Sequence, residues 1–138
     1  MSTDAIVVTG KISATPEQIF EAWLNAAQHA AMTGGAATGS GEVGSAFTAW
    51  DGYITGKNLS QERPHRIVQA WRSAEFPKGS ESSHLEVELD GPAEGPTTVT
   101  IRHSNIPAGQ GKQYETGWVD HYLTPMQAYF GRTFQDRS

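Results

Sequence analysis

Apolar residues recur along the chain with two periods, and together they mark out nine elements. The stretch Ala5–Ile12 (AIVVTGKI) is β-branched and sets Ile6, Val8 and Ile12 on one side, which predicts a strand. Thr15-Pro16-Glu17-Gln18 then has the marks of a helix start. Thr15 suits the N-cap, Pro16 the first helical position, and Gln18 completes a capping box. Ile19, Phe20, Trp23 and Leu24 share one face of that helix. Asn25 predicts the cap of a second short helix that reaches about Met32.

Residues 33–45 (TGGAATGSGEVGS) are expected to form a glycine-rich loop. Strands are predicted at about Ala46–Trp50, Tyr53–Gln61, Arg66–Ser73, Ser83–Asp90 and Thr97–Ser104. Turn residues separate them: Asp51-Gly52 as a two-residue hairpin turn, then Arg63-Pro64, Pro77–Ser80 and Gly91–Pro96. Leu85, Val87 and Leu89 alternate with His84, Glu86 and Glu88, so one face of that strand meets water. A long helix is expected from about Gly111 to Phe130. Tyr114, Trp118, Val119, Tyr122, Leu123, Met126, Tyr129 and Phe130 fall on about half of its circumference. Pro125 lies inside it and should kink it, because it has no N–H for the His121 carbonyl. The order is β-α-α-β-β-β-β-β-α. This is an α+β chain whose five consecutive strands form an antiparallel meander. Its wide apolar helix must lie against that sheet, and a twisted sheet that curls around such a helix leaves a groove.

Four segments in this order resemble a known family. They are Thr15–Trp23 (TPEQIFEAW), Phe47–Leu59 (FTAWDGYITGKNL), Arg66–Arg72 (RIVQAWR) and Gly117–Tyr122 (GWVDHY). Over about Ala5 to Phe130 the chain resembles the START-like (SRPBCC) superfamily and, within it, the activator of heat-shock protein 90 ATPase homologues. The resemblance implies a helix-grip fold, with a curved antiparallel sheet of about six strands wrapped round the C-terminal helix to leave a cavity. Relatives bind lipids, polyketides or hormones, cyclise polyketides, or stimulate a chaperone ATPase in the stress response. The family fixes no catalytic residues. What it implies first is therefore a small apolar ligand, and as an alternative a chaperone partner.

Composition narrows the partners. The 138 residues fit a single domain over 1–138, and no cysteine is present, which excludes disulfides and zinc–thiolate sites. A net charge of −5 with ten scattered Lys and Arg argues against nucleic acid and against anionic membrane surfaces. The N-terminal residues lack the basic and apolar regions of a signal peptide, and no apolar run approaches the roughly 20 residues of a membrane span. A cytoplasmic location is therefore the expectation. Exposed sheet edges leave a monomer or a homodimer open.

Candidate chemistry is sparse. Gly39–Gly44 (GSGEVG) matches a phosphate-binding glycine pattern, but a loop precedes it and a strand follows, so no nucleotide cofactor is expected. Asn58-Leu59-Ser60 is a chance glycosylation sequon. Histidines 29, 65, 84, 103 and 121 make no metal-binding spacing, so no metal is expected. Asp120 and His121 point about 100° apart on a helix and form no dyad. His103 shares a face with Val99 and Ile101, which reads as a structural histidine or as a polar contact for a ligand. Glu115 falls within the apolar arc. It is read either as a first-turn carboxylate at the positive helix end or as a cavity acid. Glu115, His103 and Tyr122 are the acid–base candidates if the domain is a cyclase or hydratase. The candidate ligand wall is Phe20, Trp23, Phe47, Trp50, Tyr53, Trp71, His103, Trp118, Tyr122 and Met126, because aromatics with a few polar tips are the usual lining of a small-molecule pocket.

Overall fold

Local signals set the first third of the chain. The Thr15 hydroxyl accepts from the Gln18 N–H at 3.0 Å, and the Gln18 side chain accepts from the Thr15 N–H at 2.9 Å. This closed capping box starts helix α1 (Pro16–Leu24), which follows strand β1 (Thr3–Ile12). The Asn25 side chain accepts from the Gln28 N–H at 3.0 Å and starts α2 (Ala26–Thr33); Gly34 ends α2 in the left-handed conformation. The computed structural model describes residues 3–136, with side chains as far as residue 131.

Strands β2 (Thr38–Gly39), β3 (Ala46–Ala49), β4 (Ile54–Glu62), β5 (Arg66–Ser73), β6 (Ser83–Asp90) and β7 (Thr97–Pro107) follow. They form one antiparallel sheet of seven strands in the order β1-β7-β6-β5-β4-β3-β2. The seventh strand is the two-residue β2, inside the segment expected to be loop. Two residues carry no side-chain period, so nothing in the pattern announces it. The β3–β4 connection is also longer than the two-residue turn expected. Ala49 pairs with Ile54, and Trp50, Asp51 and Gly52 all take positive φ (53°, 59° and 88°). Ile12, Ile67, Leu85, Val87, Leu89, Val99 and Ile101 face inward from the sheet and are fully or almost fully buried. Each such side chain stabilises the fold by about 1.5–3 kcal/mol relative to exposure.

The C-terminal helix crosses this concave face in three parts: α3 (Gly111–Trp118), a π-helical turn (Val119–Leu123) and α4 (Thr124–Asp136). The expected irregularity at Pro125 thus takes the form of a π-turn just before it, in which the Thr124 N–H reaches back to the Val119 carbonyl. Val119, placed in the apolar arc by a uniform helical period, is 40 % exposed where this turn begins. Glu115 is the fifth residue of α3, past the first turn assigned to it. The anion at the start of α3 is Asp4 of β1, whose carboxylate accepts from the Gly109 and Gly111 N–H groups at 3.0 and 2.8 Å. That contact ties the helix to the edge of the sheet. No helix is long and apolar enough to cross a membrane among the described residues.

Candidate functional site

Where α3 and the π-turn face β5 and the Trp50–Tyr53 loop, the core does not close. A cleft of about 390 Å³ opens there, lined by Trp50, Tyr53, Ile54, Trp71, Gln113, Tyr114, Gly117, Trp118, His121 and Tyr122. The helical spacing of Tyr114, Trp118 and Tyr122 forms one wall. Trp71 projects from the concave face of β5. The left-handed backbone at Trp50 presents its ring edge-on to His121, with ring centroids 5.4 Å apart. Gly35 is a glycine because a Cβ there would stand 2.3 Å from the Trp50 ring.

Behind Trp71 and Tyr122 lies a second, much smaller void of about 20 Å³, room for about one water molecule. It is lined by Trp23, His29, Phe47, Asn58 and Gln69, among others. The polar groups here pair with one another. The Trp23 indole N–H donates to Gln69 at 3.3 Å, Gln69 donates to Asn58 at 2.8 Å, and Asn58 donates to the Glu42 carbonyl at 3.3 Å. His29 donates from Nδ1 to the Trp23 carbonyl at 2.9 Å, so its Nε2 accepts the Tyr122 hydroxyl proton at 2.9 Å. Burial lowers the pKa of His29 and raises that of Tyr122, the Trp50 side chain opposing the latter, so both stay neutral.

His103 is locked in the same way. Ser83 Oγ donates to the Trp71 carbonyl at 2.7 Å and therefore accepts from His103 Nε2 at 2.7 Å. The Trp118 indole N–H donates to His103 Nδ1 at 3.0 Å. A second proton on the ring would meet that indole N–H. Burial, with a smaller push from His84, takes the His103 pKa down to about 3.

The rim of the cleft is organised differently. The Glu75 carboxylate accepts the Tyr53 hydroxyl proton and, at 2.9 Å, a Gln113 side-chain N–H. Its backbone carbonyl accepts from Gln110 at 3.1 Å, and Gln110 accepts the Tyr114 hydroxyl proton at 3.1 Å. The bonds from Tyr53 and then Gln113 hold the Glu75 carboxyl below its ordinary range.

The ten residues expected to form a ligand wall are thus divided. The cleft brings together Trp50, Tyr53, Trp71, Trp118 and Tyr122. Trp23 and Phe47 line the inner void, together with Trp71 and Tyr122. Phe20 and Met126 line neither; both are buried, Phe20 beneath the Arg63 guanidinium at 4.9 Å. His103 sits behind Trp118 with both ring nitrogens bonded. The convergence that an acid–base role of Glu115, His103 and Tyr122 would require does not occur. His103 is enclosed, Tyr122 donates to His29, and half-buried Glu115 lines neither space. Sequence reasoning missed Gln113, Gly117 and His121 at the cleft, Glu75 bonded to its Tyr53 and Gln113, and His29 behind it. Tyr114 was legible only as an apolar position of the helix. Among the described residues no cluster of three His, Cys, Asp or Glu side chains could hold a metal ion.

Comparisons with known proteins agree with this architecture. A family model described as "Activator of Hsp90 ATPase homolog 1-like protein" matches residues 13–131. The activator of 90 kDa heat shock protein ATPase homolog of Dictyostelium discoideum is 26% identical over 130 residues, 94% of this chain and 33% of that protein. The chain therefore spans about a third of that curated relative. A crystal structure described as an HSP90 activator from Plasmodium falciparum superposes with a TM-score of 0.82 at 25% identity, covering 92% of this chain and 96% of that one. The solution structure of the Aha1 dimer from Colwellia psychrerythraea has a TM-score of 0.76 at 20% identity, with coverage of 92% and 96%, and shares the fold.

Proposed function

Because the chain belongs to the family of activator of Hsp90 ATPase homolog 1-like proteins, we propose that it is a START-like domain that takes a small, largely apolar molecule into the aromatic cleft. The observation that carries this reading is the cleft itself. About 390 Å³ walled by Trp50, Tyr53, Trp71, Tyr114, Trp118 and Tyr122 lies within the size and chemistry of small-molecule sites. A core intended only for stability would fill such a space, because unfilled volume costs contacts. Of the acid–base candidates, Tyr122 donates to His29 and His103 has both ring nitrogens bonded within the protein. That favours binding over proton transfer.

Gly117 provides the test. It lines the cleft, and a Cβ there meets nothing closer than His121 at 4.0 Å, so a larger side chain enters open space. The neutral fluorophore N-phenyl-1-naphthylamine should bind saturably to the wild-type chain, and Gly117→Leu should abolish that binding while the protein stays folded. Equal binding by the folded variant, or none by the wild type, rejects the reading.

A second reading is modulation of a chaperone ATPase. It rests on the description of the Plasmodium falciparum chain as an HSP90 activator, since that chain is matched over 96% of its length. Measuring the cognate chaperone's ATPase rate with and without this protein decides it. No change at saturating protein rejects it.

A further inference from the structure

We propose that the occupant of the aromatic cleft is a lipophilic organic cation, an amine or quaternary ammonium on an apolar body, with its charged group at the rim beside Glu75. This rests on the cleft being a ligand site and names the class of ligand.

Three observations point the same way. The first is the wall. Six of the ten lining residues are Trp or Tyr, none is Lys or Arg, and His121 is the only basic side chain. Aromatic faces carry the negative end of their quadrupole and attract cations.

The second is the direction of the donors. The hydroxyl protons of Tyr53, Tyr114 and Tyr122 go to Glu75, Gln110 and His29, and the Trp118 N–H goes to His103. These four side chains therefore direct no proton into the cleft, which suits a cation better than an anion.

The third is Glu75. Glu17 and Glu21 pair with Arg63, Glu62 and Glu86 with Arg66, and Glu88 with Arg102. Glu75 stands at the rim on two neutral donors, and among the described residues no Lys or Arg forms an ion pair with it. Those donors hold it ionised, and they leave its charge uncompensated at the mouth of an aromatic cleft. The chain's net charge of −5 draws cations in the same sense.

The test uses three naphthalene probes of similar shape: 1-naphthylmethyl-trimethylammonium, its neutral carbon isostere 1-neopentylnaphthalene, and the anion 1-naphthylmethanesulfonate. Affinities are read by tryptophan fluorescence at pH 8 and low salt. The cation is expected to bind about tenfold tighter than the neutral isostere, and the preference should fall as salt rises. Glu75→Gln should cut that preference to about threefold or less, with circular dichroism confirming the fold. Equal affinities for the three probes, or a tighter sulfonate, overturn the cation assignment while the cleft stands. A preference untouched by Glu75→Gln overturns the role of Glu75. Binding of none of the three overturns the cleft reading itself.

Discussion

Trp71 and Tyr122 form a partition with two very different sides. The inner side is a void of about 20 Å³, the outer side a cleft of about 390 Å³, and both residues line each. On the inner side the buried polar ends pair with one another: His29 with Tyr122 and the Trp23 carbonyl, Gln69 with Trp23 and Asn58, and, behind Trp118, His103 with Ser83 and Trp118. On the outer side the polar contacts converge on Glu75, which is exposed. The difference teaches what aromatic residues do in such a fold. Where their polar ends are paired and the space is filled, they are core. Where the polar ends are turned away and the space is left open, they are a wall. The first arrangement fixes the geometry of the second.

The largest effect is expected from breaking the partition. Trp118→Ala removes a 3 % exposed ring that packs on Trp23, Trp71 and Tyr122, and leaves His103 Nδ1 without its donor. A loss of about 3–5 kcal/mol is expected in urea unfolding. A loss below about 1 kcal/mol would show that the inner side is not the rigid one.

Acid attacks the same side through His103. Its folded pKa of about 3 lies below the ordinary 6.5, so the unfolded chain binds the extra proton first. Stability is therefore full above about pH 6.5 and falls as the pH drops from there toward 3, by about 3 kcal/mol at pH 4. His29, also lowered by burial, adds in the same direction. His103→Gln should flatten this limb between pH 6.5 and 4 relative to wild type. A stability curve level across that window would contradict an enclosed neutral imidazole.

These two predictions also mark how far the sequence could be read. Elements defined by local chemistry were legible: the Thr15 capping box, the Asn25 cap, and the five strands from Ala46 onward, to within a few residues. The aromatic set of the cleft was legible as a composition, because Trp118 and Tyr122 recur at helical spacing and Trp71 lies in an apolar strand. Partnerships were not. His29 and Tyr122 are 93 residues apart, and Trp23 and Gln69 are 46 apart, so no period connects them. Glu75 is a polar residue in a turn, and only the fold sets it between Tyr53 and Gln113. Glu115 was misread because a uniform helical period describes a face and not what that face meets.

Tyr122→Phe separates the hydrogen bond from the ring. The ring still packs, but His29 Nε2 loses its donor in a buried site. About 1–2 kcal/mol is expected, from the cost of an unsatisfied buried acceptor. Binding of a neutral aromatic probe in the cleft should be unchanged, since the hydroxyl points inward. A variant that keeps full stability but loses the probe would place the hydroxyl on the cleft side and undo the contrast between the two faces.

The smallest effect is expected at the rim, and for the opposite reason. Tyr53→Phe removes one of the two side-chain donors to Glu75, at a residue that is 38 % exposed. Water can replace a bond lost there, so stability should change by no more than about 0.5 kcal/mol. What should change is local. The bond ties the Trp50–Tyr53 loop to α3 through Glu75 and Gln113, and without it the loop opens more often. Amide hydrogen exchange should therefore quicken at Asp51–Tyr53 and stay as slow as in wild type at β5 and β6. A global loss near that of Tyr122→Phe would mean that the rim bears on the core as the partition does. The cleft would then be a packing defect in one continuous interior, and the distinction between its two sides would fail.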